Sequence, residues 1–146
     1  KQVKPVKPTH FTRIVPERSN FIRMSNELHE RGVAKMAELD KETCDRLIET
    51  LKSVAPDFTK YVVEFAFGDV LSRPGLDVKT RELCTVSALT AMGTAPSQLR
   101  FHIQAALNVG CTREQVLETI MQMVLYAGFP AALNALNAAK EVFEAK

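Results

Sequence analysis

The punctuation of this chain constrains its fold more than any other feature. Ala55-Pro56, the run Arg73-Pro74-Gly75-Leu76, Gly93, Gly110 and the run Gly128-Phe129-Pro130 each interrupt a stretch of helical character. Proline removes a backbone donor, and glycine accepts the left-handed turn that ends a helix. Helix-starting residues stand where such breaks require them. Residues 19–38 read as a first, polar helix. Asp40 is placed to cap a second one with an apolar stripe through Cys44, Leu47, Ile48 and Leu51, and Asp57 to cap a third over 58–72. Asp77 starts a helix that Gly93 ends, and another runs from about Pro96 to Val109 with Gly110 as its stop. Thr112 and Gln115 have the spacing of a capping box, which opens a helix to about Ala127. Pro130 belongs in the first turn of a last helix. No segment alternates as a strand would, and no solenoid-like repeat appears. The expectation is an all-α chain, a single domain of about six or seven helices.

At 146 residues the chain is the size of one core. Residues 1–18 hold three prolines and many charges and read as an extended basic arm. Residues 19–56 read as N-terminal helices and 57–146 as the main helical domain. Residues 1–35 carry eight Lys/Arg against three acids, a balance of +5, while the remainder carries eleven against fourteen, or −3. A basic arm on a mildly acidic body differs from the basic patch of a nucleic-acid binder, so no nucleic-acid partner is expected. No apolar run approaches the roughly 18 residues of a membrane span, so no membrane partner is expected either.

Three cysteines, Cys44, Cys84 and Cys111, are odd in number and have no C-x-x-C or zinc-site spacing. Free thiols, a cytoplasmic location and no bound metal are the corresponding expectations. The last three helices are rich in Ala, Asn and Met. Small residues let helices approach closely but bury little apolar area each, which favours completing the core by oligomerisation.

Two residues stand out for chemistry. Glu82 shares a helix face with Val78, Val86 and Leu89, and a carboxylate in an apolar stripe is costly unless it is paired. A salt bridge to Arg81, Lys79 or another helix would be the structural explanation. His102 lies between Phe101 and Ile103, at the border of a core stripe made by Leu99, Ile103 and Ala106 and in line with Gln98 and Ala105. If the two meet, the carboxylate orients one imidazole nitrogen and leaves the other for proton transfer. Glu64, embedded in Tyr-Val-Val-Glu-Phe-Ala-Phe, reads as a second buried or interfacial carboxylate. His10 and His29 read as solvent-facing. No Gly-rich phosphate loop or H-E-x-x-H occurs.

The stretches FAFGDVLSRPGLDVKTREL and HIQAALNVGCTREQVLETIMQMVLYAGFPAALNALNAAKEV resemble the carboxymuconolactone decarboxylase family over about residues 58–143. In that family's alkylhydroperoxidase D-like branch, a C-x-x-C pair lies one turn before the helix histidine, and a glutamate on the preceding helix completes a proton relay. The matching thiol positions are near Ala95 and Gln98, so both thiols are missing, whereas Glu82 and His102 stand where the glutamate and histidine would be. An antioxidant peroxidase or disulfide reductase is therefore the alternative, and a non-catalytic helical oligomer a second one. The decarboxylase branch needs no thiol pair, and YAGFPAALNAL fits it. Its known member removes CO2 from γ-carboxymuconolactone in the breakdown of an aromatic compound, without metal or organic cofactor. The resemblance thus implies an alkylhydroperoxidase D-like fold, a homotrimer or homohexamer with sites near subunit interfaces, and a cofactor-free carboxy-lyase acting on a small lactone or carboxylic acid. On that reading His102 is the acid and Glu82 sets its tautomer and charge. Arg73 holds a substrate carboxylate by paired hydrogen bonds, and Gln98 and Tyr126 line the pocket.

Overall fold

Helix caps set the frame of the computed structural model, which describes residues 18–145. The expected basic arm, apart from Arg18 at the start of α1, and His10 lie outside the described residues. Six α-helices and one π-helical stretch, with no strand among the described residues, follow in order: α1 (Arg18–Val54), α2 (Pro56–Lys60), the π-helix Tyr61–Val70, α3 (Val78–Met92), α4 (Pro96–Asn108), α5 (Arg113–Gln122) and α6 (Val124–Glu144). Asp77 caps α3 by accepting the Thr80 N–H at 3.0 Å and its hydroxyl at 2.6 Å. Those bonds, the hydroxyl's first, hold the Asp77 carboxyl below its ordinary value. Gly93 closes the same helix in the left-handed conformation, with φ 65°. The Thr112–Gln115 capping box is complete. No helix of the described residues is long and apolar enough to cross a membrane.

Some boundaries differ from the sequence expectation. The two helices expected before residue 55 run into one another, α1 breaking only at Asp40, whose backbone is extended (φ −165°, ψ 92°). Asp40 still acts as a cap there, accepting the Thr43 N–H at 3.0 Å and the Thr43 hydroxyl at 2.9 Å. The Leu39 carbonyl at the break accepts a 2.6 Å bond from the side-chain amide of Asn108, which ties the break to α4. Asp57 does not cap. Ala55 takes that position without a side-chain bond, because Pro56 fits the first helical turn and pushes Asp57 inside it. The helix expected to reach Ala127 ends at Gln122, and the backbone instead breaks inside α6 at Gly128, where φ is 78°.

Packing divides into two clusters. Val86, Leu99, Ile103, Ala106, Val116, Ile120 and the alanines 132, 135, 138 and 139 join α3 to α6. Met36, Leu39, Cys44, Val63, Phe67 and Ala105 join α1 and the π-helix to α4. The seam between α1 and the π-helix is closed to side chains at two points. A Cβ on Gly32 would lie 2.0 Å from the Val63 carbonyl oxygen, and one on Gly68 2.1 Å from that of Leu28. Val62, Val63, Phe65, Phe67 and Gly68 have weak α preference, which leaves the turn of this segment to its packing.

Backbone atoms cannot yield as a side chain would, so Gly68→Ala is expected to lower the unfolding free energy by about 3 kcal/mol despite its gain in helix propensity. Gly75→Ala, with nothing within 4 Å of its added carbon, is expected to change it by less than about 0.5 kcal/mol. Chemical denaturation of the two variants checks this.

Candidate functional site

The capped helix α3 buries one face through Glu82, Val86 and Thr90, each 1% exposed or less. Proline at the first turn of α4 fixes the start of the neighbouring helix, whose Leu99, Ile103 and Ala106 enter the core. His102 is thereby left at the edge of the buried face, its side chain 16% exposed. The two helices bring Glu82 and His102 together: Nδ1 of the imidazole lies 2.8 Å from Glu82 Oε2. An ionised carboxylate can only accept, so with Glu82 ionised this bond holds a proton on Nδ1 and leaves Nε2 for another partner. The ring of Phe101 stands edge-on to the imidazole, with centroids 4.8 Å apart.

Neither cation suggested as a local partner for Glu82 pairs with it. Arg81 donates instead to the Arg73 carbonyl at 2.7 Å, which pins the turn before α3, and its Nε is buried without a partner among the described residues. The Lys79 carbonyl faces the Cys111 thiol at 3.8 Å.

The charge of Glu82 also reaches both buried cysteines. Burial first, then Asp40, Asp45 and Glu82, pushes the Cys44 thiol up to about 11. Burial also raises Cys111, with Glu82 and Asp77 adding to it against the pull of Lys79. Cys84 is exposed, and all three thiols are free. The positions that would carry a thiol pair are Ala95, at the start of α4, and the exposed Gln98.

Arg73, Gln98 and Tyr126 are all exposed, Tyr126 to 76%, and none hydrogen-bonds to Glu82 or His102. Gln98 lies one turn before His102 on α4, and accepts from Ser97 at 2.9 Å. Cavities of about 470, 230 and 30 Å³ lie elsewhere and include neither member of the pair. Among the described residues, no group of three His, Cys, Asp or Glu side chains is placed to hold a metal ion. Asn108, whose side chain ties α4 to the break in α1, was not singled out in the sequence, because its partner lies 69 positions away along the chain.

The model of the carboxymuconolactone decarboxylase family matches residues 56–141. Over 106 residues the chain is 40% identical to the 4-carboxymuconolactone decarboxylase of Acinetobacter baylyi, covering 73% of this chain and 78% of that protein. It is 37% identical to an uncharacterised 15.0 kDa protein of Paracoccus denitrificans over 97 residues, or 66% of this chain and 72% of the relative. It is also 29% identical to the nitrosuccinic acid decarboxylase of Metarhizium robertsii over 117 residues, or 77% of this chain and 81% of the relative.

The raised Cys44 gives a signed pH dependence. Between its ordinary value of 9.0 and about 11, the unfolded chain gives up this proton while the folded chain keeps it. The contribution is therefore complete below pH 9 and lost as pH rises through that window. The gap in unfolding free energy between the wild type and Cys44→Ala is expected to narrow from pH 9 to 11, measured by denaturation at each pH. At pH 7, a thiol reagent is expected to modify Cys84 alone in the folded chain.

Proposed function

The chain belongs to the carboxymuconolactone decarboxylase family, and from that membership we propose that it is a cofactor-free decarboxylase in which His102, held by Glu82, delivers a proton to a small carboxylic acid substrate. The observation that carries this reading is the 2.8 Å bond between His102 Nδ1 and the buried Glu82 carboxylate. The two decarboxylases among the relatives are named for 4-carboxymuconolactone and nitrosuccinic acid. In both molecules a lactone carbonyl or a nitro group can take up the electron pair that departing CO2 leaves behind. Of these, a lactone acid is the substrate we assign.

The chemistry then needs little from the protein. The carbon–carbon bond to the leaving carboxylate breaks, and its electron pair passes through the conjugated carbons to the lactone carbonyl oxygen. CO2 departs, and the Nε2–H of the His102 imidazolium supplies the proton that the resulting dienolate takes up on the carbon beside the lactone carbonyl. Water restores that proton, so one proton is consumed for each carboxylate lost. Glu82 accepts from Nδ1 and so fixes the ring, leaving Nε2 to the substrate. Arg73 is assigned a carboxylate that the substrate retains, and Gln98 and Tyr126 the pocket walls.

In a single chain 16% of the His102 side chain stays open to solvent. We assign its cover to a second copy in a trimer or hexamer, reached through Met121, Leu125, Tyr126, Phe129 and Leu133, large apolar residues that the chain exposes around the start of α6.

Purified protein is expected to turn over γ-carboxymuconolactone with release of CO2. His102→Ala and Glu82→Gln are each expected to lower kcat at least about 100-fold while the circular dichroism of the helices is kept. Arg73→Ala is expected to raise KM more than about tenfold with kcat little changed. Turnover by His102→Ala at the wild-type rate would contradict the reading.

A further inference from the structure

A second part of the molecule has the character of a binding site and shares no residue with the Glu82–His102 pair. A cavity of about 470 Å³ lies between the start of α1 and the segment formed by α2 and the π-helix. That volume falls within the range of small-molecule sites. Its walls combine Tyr61 and Phe65 with three carboxylates, Asp57, Glu64 and Asp69, against one ammonium, Lys60. Among the described residues Lys60 forms no ion pair with any of them, so the cavity keeps an excess of negative charge and disfavours anions.

Glu64 is the best-placed of the three. Its side chain is 17% exposed. Ser25 donates a 2.9 Å hydrogen bond to Oε2, and Nδ1 of His29 lies 3.8 Å from Oε1. Ser25 and His29 sit one turn apart on α1, so both approach the carboxylate from the same side, and Ser25 holds it. Positions remain on its oxygens for a further donor. Tyr61 and Phe65 are 66% and 62% exposed, large apolar surface beside a fixed negative charge. Aromatic rings and a carboxylate together suit a cation with an apolar body. The ten-residue π-helix Tyr61–Val70 runs along this wall. Such turns are rare in proteins and concentrate at functional sites.

We propose that this cavity binds a small organic cation, an alkyl- or arylammonium compound whose nitrogen pairs with Glu64 and whose apolar body packs against Tyr61 and Phe65. The site is independent of the decarboxylase reading, and its test needs no turnover.

The probe is phenethylammonium chloride, titrated into the full chain and followed by NMR. Saturable shifts are expected at residues 57–69 and at His29. Phenethyl alcohol, similar in shape but uncharged, is expected to bind at least tenfold more weakly, and Glu64→Gln to weaken the ammonium at least tenfold. Asp69→Asn, at an exposed position where folding is not at stake, is expected to weaken it several-fold. Absence of saturation overturns the proposal, including absence because a second copy or residues 1–17 fill the cavity. Equal binding of the alcohol, or wild-type binding by both variants, overturns it as well.

Discussion

A carboxylate that is 1% exposed must be satisfied from inside the protein, and here its partner comes from the neighbouring helix. The bond from Glu82 to His102 fixes more than two side chains. It requires α3 to present the face containing Val86 and Thr90 to the core, and α4 to hold its histidine at the border of Leu99, Ile103 and Ala106. The charge of Glu82 also bears on Cys44 in one packing cluster and Cys111 in the other. Both thiols are pushed toward their protonated form, which removes them as nucleophiles near neutral pH. Burial does most of this, and the Glu82 carboxylate adds to it at both sulfurs. Thiol chemistry is disfavoured by this environment as well as by Ala95 and Gln98 at the thiol positions.

Much of the frame was legible in the sequence because it is local. Asp40, Asp77 and Thr112 cap within three residues of themselves, and Gly93 ends its helix by its own backbone conformation. Helical period alone put Glu82 on an apolar stripe and His102 at the border of another. That they touch was not legible, since nothing local sets the approach of α3 to α4. Gly32 and Gly68 were passed over for the same reason: their importance lies in carbonyl oxygens from a segment more than thirty positions away. Asp57 was misplaced because aspartate and Pro56 compete for the same turn, and proline prevailed. Glu64 was read as buried or interfacial, and it is half-buried beside Ser25 and His29, residues that the sequence alone gave no reason to join to it.

The family shared with a 4-carboxymuconolactone decarboxylase and a nitrosuccinic acid decarboxylase places the chain among scaffolds that serve more than one acid. A histidine that returns a proton to carbon is indifferent to the rest of the substrate, so specificity has to come from the groups around it. On the proposed reading those groups are Arg73, Gln98 and Tyr126, all exposed side chains. They can change without disturbing the buried pair, because none of them bonds to it.

On the proposed reading, His102 presents Nε2 to the substrate because Glu82 holds a proton on Nδ1. Nitrogen-15 NMR of the His102 imidazole in the wild type and in Glu82→Gln distinguishes the two nitrogens. A proton resident on Nδ1 in the wild type, in slow exchange with water, is expected, with loss of that protection in the variant. A neutral wild-type imidazole with its proton on Nε2 and a bare Nδ1 would contradict it, because Glu82 would then be the donor and the relay would run the other way.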